Sequence, residues 1–133
     1  MRKYLITFVL LPLFLLAIGC TPKYEEPVDG YTTSSIHGDF PIPESSALLE
    51  TISSSENPNI DNGVKYEIKG IGGEQGLSTP ERYIQEIQDS GWTELKDNRL
   101  GHVYFFKKED TVISLEIRQD SITLYEMTKD AII

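Results

Sequence analysis

The sequence predicts an α+β fold: an antiparallel sheet with elements in the order β-β-α-β-β-β-β and one helix packed across one face. Three observations predict it. Val64, Tyr66 and Ile68 alternate with Lys65, Glu67 and Lys69, and Ile113, Leu115 and Ile117 alternate with Ser114, Glu116 and Arg118. Such period-two patterns mark half-buried strands. Pro80, Tyr83, Ile84 and Ile87 fall at i, i+3, i+4 and i+7, the stripe of an amphipathic helix. The last strands are separated only by short turns such as Lys107-Lys108-Glu109-Asp110 and Gln119-Asp120, so neighbours pair antiparallel.

Taken in order, Asp39 to Glu44 reads DFPIPE, in which Phe40 and Ile42 alternate with prolines. Proline fixes φ and extends the residue before it, so this is an extended edge segment. Ala47 to Ser54 reads as a strand, and Asn57-Pro58 and Asn62-Gly63 as turns before the next one. GIGGEQG, residues 70–76, is a flexible connection from strand to helix. It lacks the lysine and spacing of a phosphate loop and the parallel βαβ setting of a dinucleotide fingerprint. Ser78 and Glu81 match an S-x-x-E capping box, Pro80 suits the first turn, and Ser90-Gly91 ends the helix. Trp92–Leu95 begins a short strand. Val103 and Phe105 then alternate with Tyr104 and Phe106, and Ile122 and Leu124 with Thr123, Tyr125 and Met127. The expected outcome is one face under the helix and a second, open face carrying Tyr104, Phe106, Tyr125 and Met127. That open face is the candidate interaction surface, because tyrosine combines apolar area with a polar tip.

The N-terminus is of another kind. Met1-Arg2-Lys3 is followed by an apolar run from Tyr4 to Ile18, about 15 residues long against the roughly 20 of a bilayer span. This is the pattern of a cleaved export signal. Leu16-Ala17-Ile18-Gly19-Cys20 then resembles a bacterial lipobox. The resemblance implies that Cys20 receives a diacylglyceryl group, that cleavage falls between Gly19 and Cys20, and that the new amino end is open to acylation by palmitate or a similar acid. A thioether cannot form a disulfide, which accounts for a single cysteine in an exported chain. Two or more acyl chains anchor a protein stably where one does so only marginally. The expected parts are a signal peptide (1–19), a lipidated Cys20 with flexible linker (20–38) and the α+β domain (39–133). Eighteen linker residues would have a root-mean-square span of about 20–25 Å.

The stretches DFPIPESSALLE, GIGGEQG and YIQEIQDSGW, with the strand-rich end, resemble the small uncharacterised lipoproteins of Bacillus-type Gram-positive bacteria. That resemblance implies a fold type and a location on the outer face of the cell membrane, but no activity.

The formal charge is −9, with 12 basic and 21 acidic side chains, and loss of Arg2 and Lys3 takes it to −11. Such a surface repels nucleic acid, so none is expected as a partner. The expected partners are the membrane, through lipid on Cys20, and an envelope protein. No catalytic pattern emerges. The serine clusters lack a G-x-S-x-G elbow, and among 21 acids a catalytic pair is indistinguishable from chance. His37 and His102 are the two histidines and have no ligand-like spacing. Asp61-Asn62 and Asp97-Asn98 read as turn residues, so no metal or cofactor is expected. The chain therefore reads as a non-catalytic binding module. The alternatives are an inhibitor of a basic envelope enzyme, a structural accessory of an envelope or spore complex, or a small hydrolase.

Overall fold

The computed structural model describes Tyr24, residues 30–53 and residues 56–133. Cys20, the signal segment and most of the first half of the expected linker lie outside the described residues. Two sheets and a helix make up the domain. Strands β1 (Tyr31–Thr33) and β2 (Pro41–Pro43) form a two-stranded ribbon. The main sheet contains β3 (Ala47–Ile52), β4 (Ile60–Glu67), β5 (Thr93–Glu94), β6 (Val103–Lys108), β7 (Thr111–Ile117) and β8 (Ser121–Met127). Its strand order is β3-β4-β8-β7-β6-β5, and every pairing is antiparallel. The α+β architecture expected from the sequence is the one observed. After the β3–β4 hairpin the chain crosses one face as helix α1 (Glu81–Asp89), reaches the far edge at β5 and returns strand by strand until β8 closes on β4.

The residues of α1 that form the predicted stripe are buried: Tyr83, Ile84 and Ile87, with Pro80 just ahead of them. Burial rather than intrinsic propensity stabilises a nine-residue helix, which is too short to persist alone in water. Its end is a Schellman motif. Gly91 N–H donates to Gln88 C=O, Trp92 N–H donates to Ile87 C=O, and Gly91 takes φ of +93°, a conformation that suits glycine. Its start differs from the sequence reading. Pro80 is the N-cap and no side chain caps the helix. Ser78 is drawn instead toward the glycine loop, where its N–H donates to Gly72 C=O, and Thr79 turns its hydroxyl to Tyr104.

The ribbon corrects the expected linker boundary. Residues 30–38 belong to the folded unit, and Tyr24, Tyr31 and Ile36 pack against the core. Phe40 is fully buried between Trp92 and Phe106, with ring centroids at 5.1 and 6.1 Å. Trp92 Nε1 donates to Asp39 C=O, Tyr83 Oη donates to Pro41 C=O, and the Tyr66 hydroxyl accepts from Ser35 N–H. Helix and ribbon together cover one face of the sheet, and their aromatics form its core.

Two further sequence readings change. Asn62-Gly63 is not a turn but lies inside β4, with Gly63 opposite Tyr125. The glycine loop is more than a flexible connection. Gly72 N–H donates to Gln119 C=O, and Gly70 N–H donates to the Asp120 carboxylate at 2.7 Å. A Cβ on Gly72 would sit 2.2 Å from Arg118 O. The loop is glycine-rich because its backbone lies against the β7–β8 turn, with Ile71 buried beneath.

Candidate interaction surface

The face of the sheet turned away from α1 is covered by no described element. Register assigns its residues. Gly63, Tyr125, Ser114 and Phe105 stand side by side across four strands, and Lys65, Thr123, Glu116 and Val103 form the next row. Tyr125 and Ser114 occupy the middle of the first row, and Thr123 and Glu116 the middle of the second. Ser114, Thr123 and Phe105 on this face are 5%, 6% and 7% exposed, although no described element crosses above them.

Tyr125 dominates this face. Its ring lies over Gly63, where an added Cβ would come within 2.6 Å of Cδ1. An aromatic across from a strand glycine restores the apolar cover that glycine lacks. Partial burial raises the Tyr125 phenol above its ordinary value, and the Glu116 and Glu50 carboxylates add to the effect. Glu116 is itself paired with Arg118 and lies 3.6 Å from His102 Nε2. Toward the chain end the face runs into a recess of about 400 Å³ bordered by Val112, Met127, Lys107 and Lys129. Its chemistry is therefore aromatic and hydroxylic at the centre, acidic near Glu50 and Glu116, and mixed in charge at the recess, where Asp110 sits with Lys107 and Lys129.

Of the four residues expected here, Tyr125 and Met127 lie on the open face. Tyr104 and Phe106 do not. They pair with Leu115 and Ile113, point toward the helix and are 2% and 0% exposed. Residues 103–106 are apolar on both sides, so their own alternation does not choose a face; pairing with β7 does. The Tyr104 hydroxyl still reaches the far edge of the core, where it meets Thr79 Oγ1 at 3.0 Å and Arg99 Nη2 at 2.7 Å. Phe105 and Val103 occupy the positions expected for Tyr104 and Phe106.

Other polar groups hold the ribbon in place. Lys108 Nζ donates to Asp39 at 2.6 Å and to Ser90 C=O at 3.0 Å, and His37 pairs with the same carboxylate. The Lys108 ammonium, helped by His37, holds the Asp39 carboxyl below its usual value. No group of three potential metal ligands occurs among the described residues, and none of their helices is long and apolar enough to cross a membrane. No family model, curated protein or solved structure matches this chain.

Proposed function

We propose that the chain is a lipid-anchored extracytoplasmic lipoprotein whose α+β domain is a non-catalytic binding module, docking a protein of net positive charge on the open sheet face. The observation that carries the anchor is the position of Cys20. It is the chain's one cysteine, it closes the Leu16–Cys20 segment, and the domain that follows uses no thiol. The docking reading is supported by the half-exposed Tyr125 on a sheet face that no described element covers. It is supported also by charge, since residues 30–133 carry nine basic and eighteen acidic side chains, which steers basic partners inward over long range. The same charge supports inhibition of a basic wall-degrading enzyme as a special case.

The test of the anchor is Cys20→Ala. The variant is expected to remain as full-length precursor and to incorporate no labelled fatty acid, whereas normal processing would overturn the reading. The test of the face is a crosslinking experiment on intact envelopes. Tyr125→Ala is expected to abolish the specific adducts of the native chain, and an unchanged adduct pattern would remove the sheet face from the proposal.

A further inference from the structure

On the opposite side from the open face, a groove of about 380 Å³ runs along α1. One wall is the helix stripe Glu81, Ile84, Gln85 and Gln88, and Tyr104 contributes to the lining beside Arg99. The second wall is Glu94 on β5, Lys96 on the following 3-10 turn (Lys96–Asn98) and Arg99. This volume lies within the range of small-ligand sites.

Four charged side chains line the groove, Glu81, Glu94, Lys96 and Arg99, and among the described residues neither Arg99 nor Glu94 forms an ion pair. At one end Arg99 lies over the Tyr104 ring, 4.2 Å from its centroid. Its Nη2 donates to the Tyr104 hydroxyl at 2.7 Å and to Thr79 Oγ1 at 3.2 Å. In a domain with twice as many acids as bases, no described carboxylate pairs with this guanidinium. Two neutral hydroxyls and the Gly101 carbonyl, which accepts from Nε at 3.4 Å, hold this exposed side chain without a counter-ion. At the other end Glu94 faces the Gln88 side-chain amide at 3.5 Å, and among the described residues no cation pairs with it. Thr79 precedes the helix and Gln88 lies in its last turn, so these ends are separated along the helix axis. The seven steps from Glu81 to Gln88 rise about 10 Å.

We propose that this groove binds a short zwitterionic peptide of about three residues. Arg99, with the Thr79 hydroxyl, takes the terminal carboxylate, and Glu94 takes the terminal ammonium; the Gln85 and Gln88 amide nitrogens already donate to Asp89 at 2.8 Å and Glu94 at 3.5 Å, which leaves their carbonyl oxygens to accept from the peptide backbone. An extended tripeptide spans about 10–11 Å, comparable with the helical rise between the Glu81 and Gln88 levels of the groove. Hydrogen bonds to charged groups are individually strong enough for each terminus to matter. The site is independent of the lipid anchor and lies on the other side of the sheet from the docking face.

The test is a titration of the isotope-labelled full-length chain followed by amide and side-chain NMR shifts. The probes are trialanine, N-acetyl-trialanine and trialanine amide. Trialanine is expected to shift the Gln85, Gln88 and Arg99 side-chain signals saturably, and blocking either terminus is expected to weaken binding about tenfold or more. Arg99→Met should weaken trialanine but leave the amide unchanged. Glu94→Gln should weaken trialanine but leave the N-acetyl form unchanged. Absence of saturable shifts, shifts centred on Tyr125 instead, or equal affinity for free and blocked peptides would each overturn the proposal. The blocked peptides decide the matter on the native chain, whether or not either variant folds.

Discussion

The two faces of the main sheet are built from alternate residues of the same strands, yet they behave as different materials. On the helix side, Tyr104, Phe106, Leu115 and Leu124 interlock with Phe40, Trp92 and Tyr83, and every one of them is at most 2% exposed. On the other side, Phe105 and Tyr125 lie beside Ser114 and Thr123 with no described layer above. Apolarity alone does not define a core. Phe105 and Phe106 are equally hydrophobic and are 7% and 0% exposed, but among the described residues only Phe106 has aromatic partners packed against it, Phe40 and Tyr104.

Phe106→Ala and Phe105→Ala are expected to separate the two faces by the widest margin. Removing Phe106 leaves a sealed cavity and is expected to cost about 3–5 kcal/mol. Removing Phe105 opens a hollow that water and neighbours fill, with an expected cost of about 1–2 kcal/mol. Urea unfolding of both variants measures the gap, and equal losses would show that the open face is covered. A pair of glycines gives the next contrast. Gly72→Ala drives a methyl into the Arg118 carbonyl, which is backbone, and is expected to cost at least about 2 kcal/mol. In Gly63→Ala the methyl meets chiefly the Tyr125 ring, which is free to swing off an open face, so the expected loss in the same assay is about 1 kcal/mol. If Gly63→Ala proves the more damaging, Tyr125 is locked in place.

The smallest effect concerns pH. Both Tyr83 and Tyr125 have raised phenol values: Tyr83 through complete burial, Tyr125 through partial burial beside carboxylates. A group with a raised folded value lends stability that is intact below its unfolded value, near 10, and is lost as pH climbs toward the folded one. Tyr125 is expected to ionise while the domain is still folded, and Tyr83 only as it unfolds. Phenolate absorbance and circular dichroism, recorded together, separate the two. Tyr83→Phe should move alkaline unfolding to higher pH, and Tyr125→Phe should leave it nearly in place.

The sequence makes the central strands legible because Ser114, Glu116 and Thr123 interrupt their apolar positions, so the alternation in β7 and β8 has one reading. The helix is legible from its stripe and from Gly91. Other parts are hidden for identifiable reasons. The β1–β2 ribbon consists of three-residue strands, one of them two-thirds proline, and it leaves no periodic signal; the spaced Tyr31, Ile36, Phe40 and Ile42 were its trace. The capping box fails because Thr79 and Ser78 have tertiary partners that no local pattern reveals. Asn62-Gly63 looks like a turn until Tyr125, sixty residues away, supplies the reason for a strand glycine. The groove assembles a helix face with Arg99 from a segment whose residues look like ordinary turn formers, and only the fold brings them together.

Tyr24 has a consequence for where the domain can work. It rests against the core only four residues after Cys20. If Cys20 carries the anchor, four residues reach no more than about 14 Å, about half the thickness of a bilayer's hydrocarbon interior. The domain then cannot sweep through a volume above the membrane but is confined to a thin sheet of space beside the headgroups. Its encounters become two-dimensional, and its natural counterparts are molecules that share that plane or are delivered to it.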